Sequence, residues 1–291
     1  MRVWLLAACL VLLAGCSSPP DPYEPAVPVI CEDDDLATPP GEERIERGGS
    51  WGFLDPVFSW TFGLPAKLIL WSFEIDSHEI DERTEEAIRC YMAANGLSDT
   101  KVRLNQYDPI GEWKRLFANE KVGWPARYTL GVLVNVVYTI LPGRIIGGDN
   151  YNPFTDSVNL YSNLRSVAWH EGGHAKDFAE CKWKAGYAFL RIVPLVDLYQ
   201  ESVASADAIR WAYHIRDREG EIECYHVLFP AYGTYIGGYV QDILVLPSDP
   251  IGSFLTRLVL ALPFHAVGRI QAAVRDAAYE DYLPPEERPK P

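Results

Sequence analysis

The chain has little positive charge, and this narrows its possible partners. Its 291 residues carry 26 Lys and Arg against 40 Asp and Glu, a formal net charge of −14. Nucleic-acid binding needs a basic face, and electrostatic docking on anionic lipid needs basic clusters, so neither is expected. The sequence also lacks a CxxC pair and an internal repeat, which argues against a cysteine-based metal module and a repeat architecture.

The apolar run at the N-terminus is too short to be a comfortable membrane span. Arg2 precedes fewer apolar residues than the ~20 that cross a bilayer, so a signal peptide is predicted over residues 1–15. Its end, Leu13-Ala14-Gly15-Cys16, resembles the lipobox of bacterial lipoproteins. The resemblance implies cleavage before Cys16, lipidation of that cysteine and anchoring in the bacterial cell envelope. An ordinary secretory signal is the alternative.

Ser17 rather than Asp follows the cysteine, which favours the outer membrane, on its periplasmic or outer face, if the host is Gram-negative. Residues 16–45 are rich in proline and acid and have no apolar period, so they are predicted to form an extended tether. Residues 46–282 are predicted to form one globular domain with hydrophobic helical additions. Residues 283–291 are predicted to be a disordered tail.

Hydrophobic periodicity predicts an α+β fold, mainly helical, with a small antiparallel or mixed sheet and additional helices. Strands are predicted at 101–107, 144–148 and 155–162. Helices are predicted at 81–96, 112–120 and 127–142, from Ser162 or Asn163 through the HEGGH segment, near 195–215, and at 253–280 with a break at Pro263. The helix at 127–142 is predicted to be buried, because it is apolar but short for a membrane span.

Residues 51–73 are apolar, contain three tryptophans and are interrupted by two prolines. Irregular structure and a short helix packed in the core are expected, because the prolines break any continuous amphipathic face. A contact with the membrane interface, which tryptophan favours, is the alternative.

Four cysteines besides Cys16 would remain after export, and in an oxidising compartment they predict two disulfides. The favoured pairing is Cys31–Cys90 and Cys181–Cys224, out of three possible pairings. Four free buried thiols are the alternative.

The segment His170-Glu171-Gly172-Gly173-His174 matches the pattern HExxH. On a helix, residues four apart share a face, so both imidazoles can bind one ion. Zinc suits this pattern, because it takes histidine nitrogens and can keep one position open for water. Glu171 would then act as the general base that activates the zinc-bound water. Two histidines with ordinary structural partners are the alternative.

A catalytic zinc needs a third protein ligand, and the next predicted helix offers Glu201, with Asp197 as its rival. From Glu201, helical spacing selects a stripe of small residues: Ala204, Ser205, Ala208 and Ala212. This stripe would let the two helices lie close together. Close approach would explain Gly173, despite the roughly 1 kcal/mol that glycine costs in a helix. Gly172 would face the opposite side.

These residues resemble the zincin metallopeptidases of the gluzincin type, which combine HExxH with a Glu on a following helix. The resemblance covers about residues 144–215. Thermolysin-like members place an Asp four residues after the ligand Glu to orient a histidine, and here Ser205 holds that position, with Asp207 a weaker candidate. In zincins a strand before the metal helix pairs with extended substrate, which implies this role for residues 155–162.

The chain also resembles a group of bacterial proteins that share DNYNPFTD, HEGGHAKDF and GTYIGG, a resemblance that implies no established activity. The favoured hypothesis is a lipid-anchored zinc hydrolase, most specifically a metallopeptidase acting on a peptide or protein in the cell envelope. A non-catalytic envelope lipoprotein, with a structural zinc helix that binds a partner, is the alternative. The oxyanion stabiliser is left open among four candidates: Tyr213, His226, Tyr235 and His265.

Overall fold

The computed structural model describes residues 44–191 and 196–281. Within these ranges helices predominate beside one small sheet that is mixed, which confirms the predicted α+β class. The predicted lipidation site Cys16 and the predicted tail at 283–291 lie outside the described residues. Most of the predicted tether, residues 16–45, also lies outside the described residues. Its last residue, Ile45, begins a strand.

The sheet has four strands in the order β1-β2-β4-β3. The strands are β1 (Ile45–Arg47), β2 (Lys101–Leu104), β3 (Asn150–Asn152) and β4 (Ser157–Leu160). The first three in spatial order run parallel, and β3 pairs with β4 as an antiparallel hairpin. Every residue of β2 and β4 is buried, so these two strands form the centre of the sheet, with β1 and β3 at its edges.

Twelve α-helices and one π-helical turn account for most of the described chain. They are α1 (Leu54–Thr61), α2 (Leu64–Leu70), α3 (Glu82–Ala94), α4 (Pro109–Ala118), α5 (Trp124–Ala126), the π-helical turn (Arg127–Gly131), α6 (Val132–Ile140), α7 (Gly143–Ile146), α8 (Arg165–Glu180), α9 (Lys184–Leu190), α10 (Val196–His214), α11 (Arg218–Leu244) and α12 (Pro250–Asp281).

Helix α8, which carries the HExxH pattern, lies at the centre of the fold. It contacts α3, α10, α11 and strands β3 and β4. Trp169 and Phe178 are almost fully buried at its two ends, and the Trp169 indole N–H donates to the carbonyl oxygen of Ala87 in α3. Because neighbours surround α8, the polar groups on it are buried as well, and they need partners within the protein.

Three predicted elements differ from the structure. Residues 144–148 do not form a strand, because Arg144 turns inward from the single helical turn α7 to pair with Asp55. The predicted break at Pro263 is absent, and α12 continues through it while packed along α11. The helix predicted at 127–142 exists as the π-helical turn and α6, but its apolar side chains are largely exposed rather than buried.

The predicted Cys181–Cys224 disulfide is wrong, because both thiols are free. Cys181 follows the C-terminal end of α8, whereas Cys224 lies near the N-terminal end of α8, where the neighbouring Glu223 accepts a hydrogen bond from the Ser166 N–H. A helix of 16 residues separates these ends by about 24 Å, far beyond disulfide reach. Cys90 is disulfide-bonded, and its predicted partner Cys31 lies outside the described residues.

Candidate metal centre

The two glycines of HEGGH allow close packing on two sides of α8. A Cβ atom on Gly173 would lie 3.1 Å from both the Cα and the carbonyl oxygen of Ala204 in α10. A Cβ on Gly172 would lie 2.6 Å from the ring of Tyr91 in α3. The predicted close approach at Gly173 is therefore present, and Gly172 faces α3. Helices α8 and α10 can meet at near-backbone contact only because position 173 has no side chain.

This approach brings the three predicted ligands together. The Nε2 atom of His170 lies 3.1 Å from one carboxylate oxygen of Glu201, and the Nε2 atom of His174 lies 3.2 Å from the other. One ligand atom from each residue falls within 4.8 Å of the other two, and all three residues are buried. Across the part of the chain that the structure describes, this is the one cluster of at least three His, Cys, Asp or Glu side chains with such spacing.

Asp197, the rival ligand, does not join this group. It lies in the first turn of α10, where it accepts a hydrogen bond from the Leu198 N–H and another from the Tyr239 hydroxyl. Both of its carboxylate oxygens are thus engaged away from the histidines. The helical position of Glu201, one turn further on, is the one that faces α8.

Ser205 lies where the resemblance places it. Its hydroxyl oxygen is 3.2 Å from Nδ1 of His170, so it can accept a hydrogen bond from the Nδ1–H group, a tautomer that leaves the Nε2 lone pair for a metal. Asp207 has a different role, because it accepts hydrogen bonds from the Tyr91 hydroxyl and from Lys176. Asp207 therefore ties α10 to α3 and α8 rather than orienting a histidine.

Arg191, which sequence reasoning missed, contacts the second histidine. Its guanidinium lies 2.9 Å from Nδ1 of His174 and 3.7 Å from a carboxylate oxygen of Glu201. Burial first, and then the charge of Arg191, lower the pKa of His174 to about 3. Burial alone would raise the pKa of Glu201, but the two histidines hold it well below its usual range.

The donor set suits zinc at His170 and Glu201 once the Nε2 proton of His170, which the Glu201 carboxylate accepts in the present contact, is released. His174 needs one further rearrangement. Arginine only donates hydrogen bonds, so in the present contact Nδ1 of His174 must offer its lone pair. Metal binding through Nε2 requires the opposite tautomer, with the proton on Nδ1. Arg191 would therefore have to turn away from His174 when a metal binds.

Glu171 is the one member of the motif with a free acceptor. It is 7% exposed, and its Oε2 atom has no hydrogen-bond partner among the described residues. Burial, with the nearby carboxylate of Glu201 as a smaller cause, raises the pKa of Glu171 to about 7. An unpartnered buried carboxyl group is costly, and it is a common sign of a functional site.

Glu171 lines a small cavity of about 180 Å³ beside the histidines. The walls come from α2, the loop before β3, α8, α10 and α11, and they include Ala66, Leu70, Asp76, Asp149, His170, Glu201, Ser205, Tyr232 and Tyr235. Asp76 was not predicted, because its segment carries no periodic or motif signal, and the motif DNYNPFTD, which begins at Asp149, implied no role for that residue. Burial, and then the charge of Asp149, raise the pKa of Asp76 to about 7.

Tyr235 is the candidate oxyanion stabiliser that the structure places in this cavity. Its hydroxyl interacts with the Glu201 carboxylate, which, together with burial of that hydroxyl, raises its pKa well above the usual range. The other three candidates lie elsewhere: His265 stacks on Trp71, Tyr213 contacts Arg275, and His226 lines a separate cavity.

The predicted substrate strand needs a correction. Strand β4 is paired on both sides, with β2 and with β3, so it has no free edge to offer. The edge strand on this side of the sheet is β3, which directly follows the cavity residue Asp149, and its residues Tyr151 and Asn152 are buried.

Comparison of the chain with protein-family models, curated proteins and solved structures finds no match. The interpretation of the site therefore depends on its own geometry.

Proposed function

We propose that this chain is a zinc-dependent hydrolase of the metallopeptidase class. The observation that carries the proposal is the position of the Glu201 carboxylate, within 3.2 Å of the Nε2 atoms of both histidines of HExxH. The free Oε2 atom of Glu171 beside them adds a base that a purely structural metal site would not need. Anchoring through Cys16 remains a prediction from the sequence.

His170, His174 and Glu201 would hold the metal, a His₂Glu set that suits catalytic zinc. When bound, zinc would supply Lewis-acid polarisation and a water of lowered pKa. Glu171 would accept a proton in the cavity and later donate it to the leaving amine. Its buried position favours a carboxyl group able to exchange a proton near neutral pH.

Two further parts of the site would bind the substrate. The Tyr235 hydroxyl would donate a hydrogen bond to negative charge developing on the scissile carbonyl oxygen. An extended substrate would pair with β3, the edge strand that leads through Asp149 into the cavity, and would have to displace the residues that cover Tyr151 and Asn152. The short strand, Asn150–Asn152, would fix the register of only a few substrate residues.

The test compares the full chain with two variants. The expected result is one zinc per chain in the wild type and in Glu171→Gln, and little zinc in His174→Ala. Hydrolysis of a mixed peptide library should be lost in both variants, because the glutamine cannot accept the proton and the alanine variant holds little zinc. Wild-type hydrolysis by Glu171→Gln would refute the general-base role. A wild-type protein that retains no zinc would refute the metal centre itself.

A further inference from the structure

The surface formed by residues 51–73 has an inverted polarity. The segment has two charged residues, Asp55 and Lys67, and they are only 5% and 2% exposed. Asp55 pairs with Arg144, and the Lys67 ammonium donates to the carbonyl oxygens of Phe73 and Ile75. Large apolar side chains face outward instead, namely Phe53, Val57, Trp60, Phe62, Leu68, Trp71 and Phe73, with exposures from 45% to 76%.

Helix α6 shows the same inversion. Its one amide side chain, Asn135, is fully buried, and its oxygen accepts a hydrogen bond from Asn152. Leu133, Val137 and Ile140 are at least half exposed. A helix on the surface of a water-soluble protein normally shows the opposite arrangement, with polar side chains outward.

Helix α12 carries the longest exposed apolar stripe. Ile251, Leu255 and Val259, followed by Ile270 and Val274, are exposed at helical spacing, while His265 is buried and binds the carbonyl oxygen of Ile69. By length and composition, which is weak evidence alone, Pro250–Tyr279 could cross a membrane, and only 17% of its most apolar window is buried. Arg257 is exposed within that window, which favours a helix lying in the interface over one that spans the hydrocarbon.

Side-chain contacts join these three regions. Trp71, just after α2, stacks on His265 of α12 with ring centroids 4.0 Å apart. On the other side, Trp51 contacts Tyr107 at 6.4 Å, and Tyr107 contacts Tyr138 of α6 at 5.9 Å. We call the exposed apolar residues of 53–73, 124–141 and 251–274 the apolar surface.

We propose that the apolar surface inserts into the interfacial region of a lipid bilayer. Buried polar groups and outward apolar groups are the arrangement that a hydrocarbon environment selects, and exposed Trp and Tyr suit the headgroup boundary. The sequence also favours lipid as the occupant. From the predicted lipidation site Cys16, the chain to Arg44 can extend at most roughly 100 Å, so a lipid anchor would confine the body to this distance from a bilayer and allow it to touch the lipid.

The inserted surface would lie directly beside the metal centre. Helix α2 lies between the apolar surface and the cavity. Ala66 and Leu70 on its inner face line the cavity. Leu68 and Trp71, which directly follows the helix, are exposed. One helix diameter is about 10 Å. The cavity would therefore sit near the headgroups, within reach of membrane-proximal segments of other molecules.

Quenching of tryptophan fluorescence by brominated acyl chains tests the insertion. The full chain is reconstituted into uncharged phosphatidylcholine vesicles with and without bromine on the acyl chains. The spectrum of Trp60→Phe, subtracted from that of the wild type, isolates the contribution of Trp60. Trp183→Phe gives the matched control, because Trp183 is 69% exposed but stands between Lys182 and Lys184.

We expect the Trp60 contribution to lose roughly half of its intensity or more in brominated vesicles, since inserted indole rings contact the acyl chains. The Trp183 contribution should not change. If both contributions are quenched equally, the adsorption is unspecific and the proposal fails. If the Trp60 contribution is not quenched, the apolar surface does not meet lipid, and a protein partner or a second copy of the chain would have to cover it. Because the measurement needs neither zinc nor hydrolysis, its result is independent of the proposed enzymatic function.

Discussion

Replacing Gly173 with leucine separates two effects that have opposite signs. Leucine forms helices better than glycine by roughly 0.8 kcal/mol, so propensity alone predicts a more stable protein. At position 173, however, the first side-chain carbon would already lie 3.1 Å from two backbone atoms of Ala204. Normal carbon contacts are about 3.5–4.0 Å, so α10 would have to move away. Overpacking of this kind costs roughly 1–3 kcal/mol, which outweighs the gain from propensity.

The same displacement would also weaken metal binding. Glu201 lies one turn before Ala204 on α10, so both would move together. Zinc–ligand distances tolerate errors of only about 0.2 Å, and a shift of roughly half an ångström would separate the carboxylate from the two histidines. We expect Gly173→Leu to lose at least about tenfold in zinc affinity, which corresponds to 1.4 kcal/mol.

Gly238 provides the matched control, because a Cβ there meets no atom within 4 Å in the middle of α11. Gly238→Leu should raise the melting temperature by about 2 °C and leave zinc affinity unchanged. The assay is thermal unfolding of both variants with zinc and with chelator, together with a competition titration for zinc. If Gly173→Leu bound zinc normally and melted as high as Gly238→Leu, close approach would not be the reason for this glycine.

Three further predictions probe the site. Glu201→Gln should reduce zinc content in equilibrium dialysis far more than Asp197→Asn, because Asp197 is engaged by Tyr239; the reverse order would exchange the two assignments. Arg191→Met should tighten zinc binding by about tenfold or more, since the charged hydrogen bond to Nδ1 of His174 opposes the metal-binding tautomer; weaker binding in the same titration would mean that Arg191 supports the metal form. In the native state the pKa of Asp76 is raised from its ordinary value of 3.8 to about 7. Between these pH values the unfolded chain loses the proton of Asp76 while the native protein keeps it, so the free energy of unfolding falls as the pH rises. Asp76→Asn should therefore be more stable than the wild type at pH 8, on the order of a few kcal/mol, and should show no advantage near pH 4 in denaturant titrations; an equal difference at both pH values would contradict the raised pKa.

The helix pair that carries the predicted metal ligands could be identified from the sequence because its signals are local. HExxH fixes a helical face within five residues, and the small residues that follow Glu201 mark the side of α10 that can approach it. The predicted helix near 195–215 matches α10 at Val196–His214. The start of α8 was less accurate, since it begins at Arg165. Ser162 does not cap it, because the Ser162 hydroxyl binds Asp149 and accepts from the Asp76 N–H.

The remaining cavity residues were not predictable, because each depends on contacts between distant segments. Asp76 reaches Gly148 across 72 positions of sequence, and nothing in either segment indicates this contact. Arg191 follows a short helix with no motif, yet it contacts His174 because α9 folds back along α8. Strand β4 was found, but its pairing on both sides could not be read from its own residues, so the edge of the sheet was assigned to the wrong strand.

The prediction from hydropathy that residues 127–142 are buried was wrong. An apolar helix shorter than a bilayer span predicts burial in the protein core, because apolar side chains leave water. Hydropathy does not distinguish a protein interior from lipid, since both are apolar surroundings for the same side chains. The distinction lies in the few polar residues, which face inward when the outside is lipid. Asn135, Asp55 and Lys67 all point inward, so the proposed membrane contact rests on the side on which these three residues lie rather than on the number of apolar residues around them.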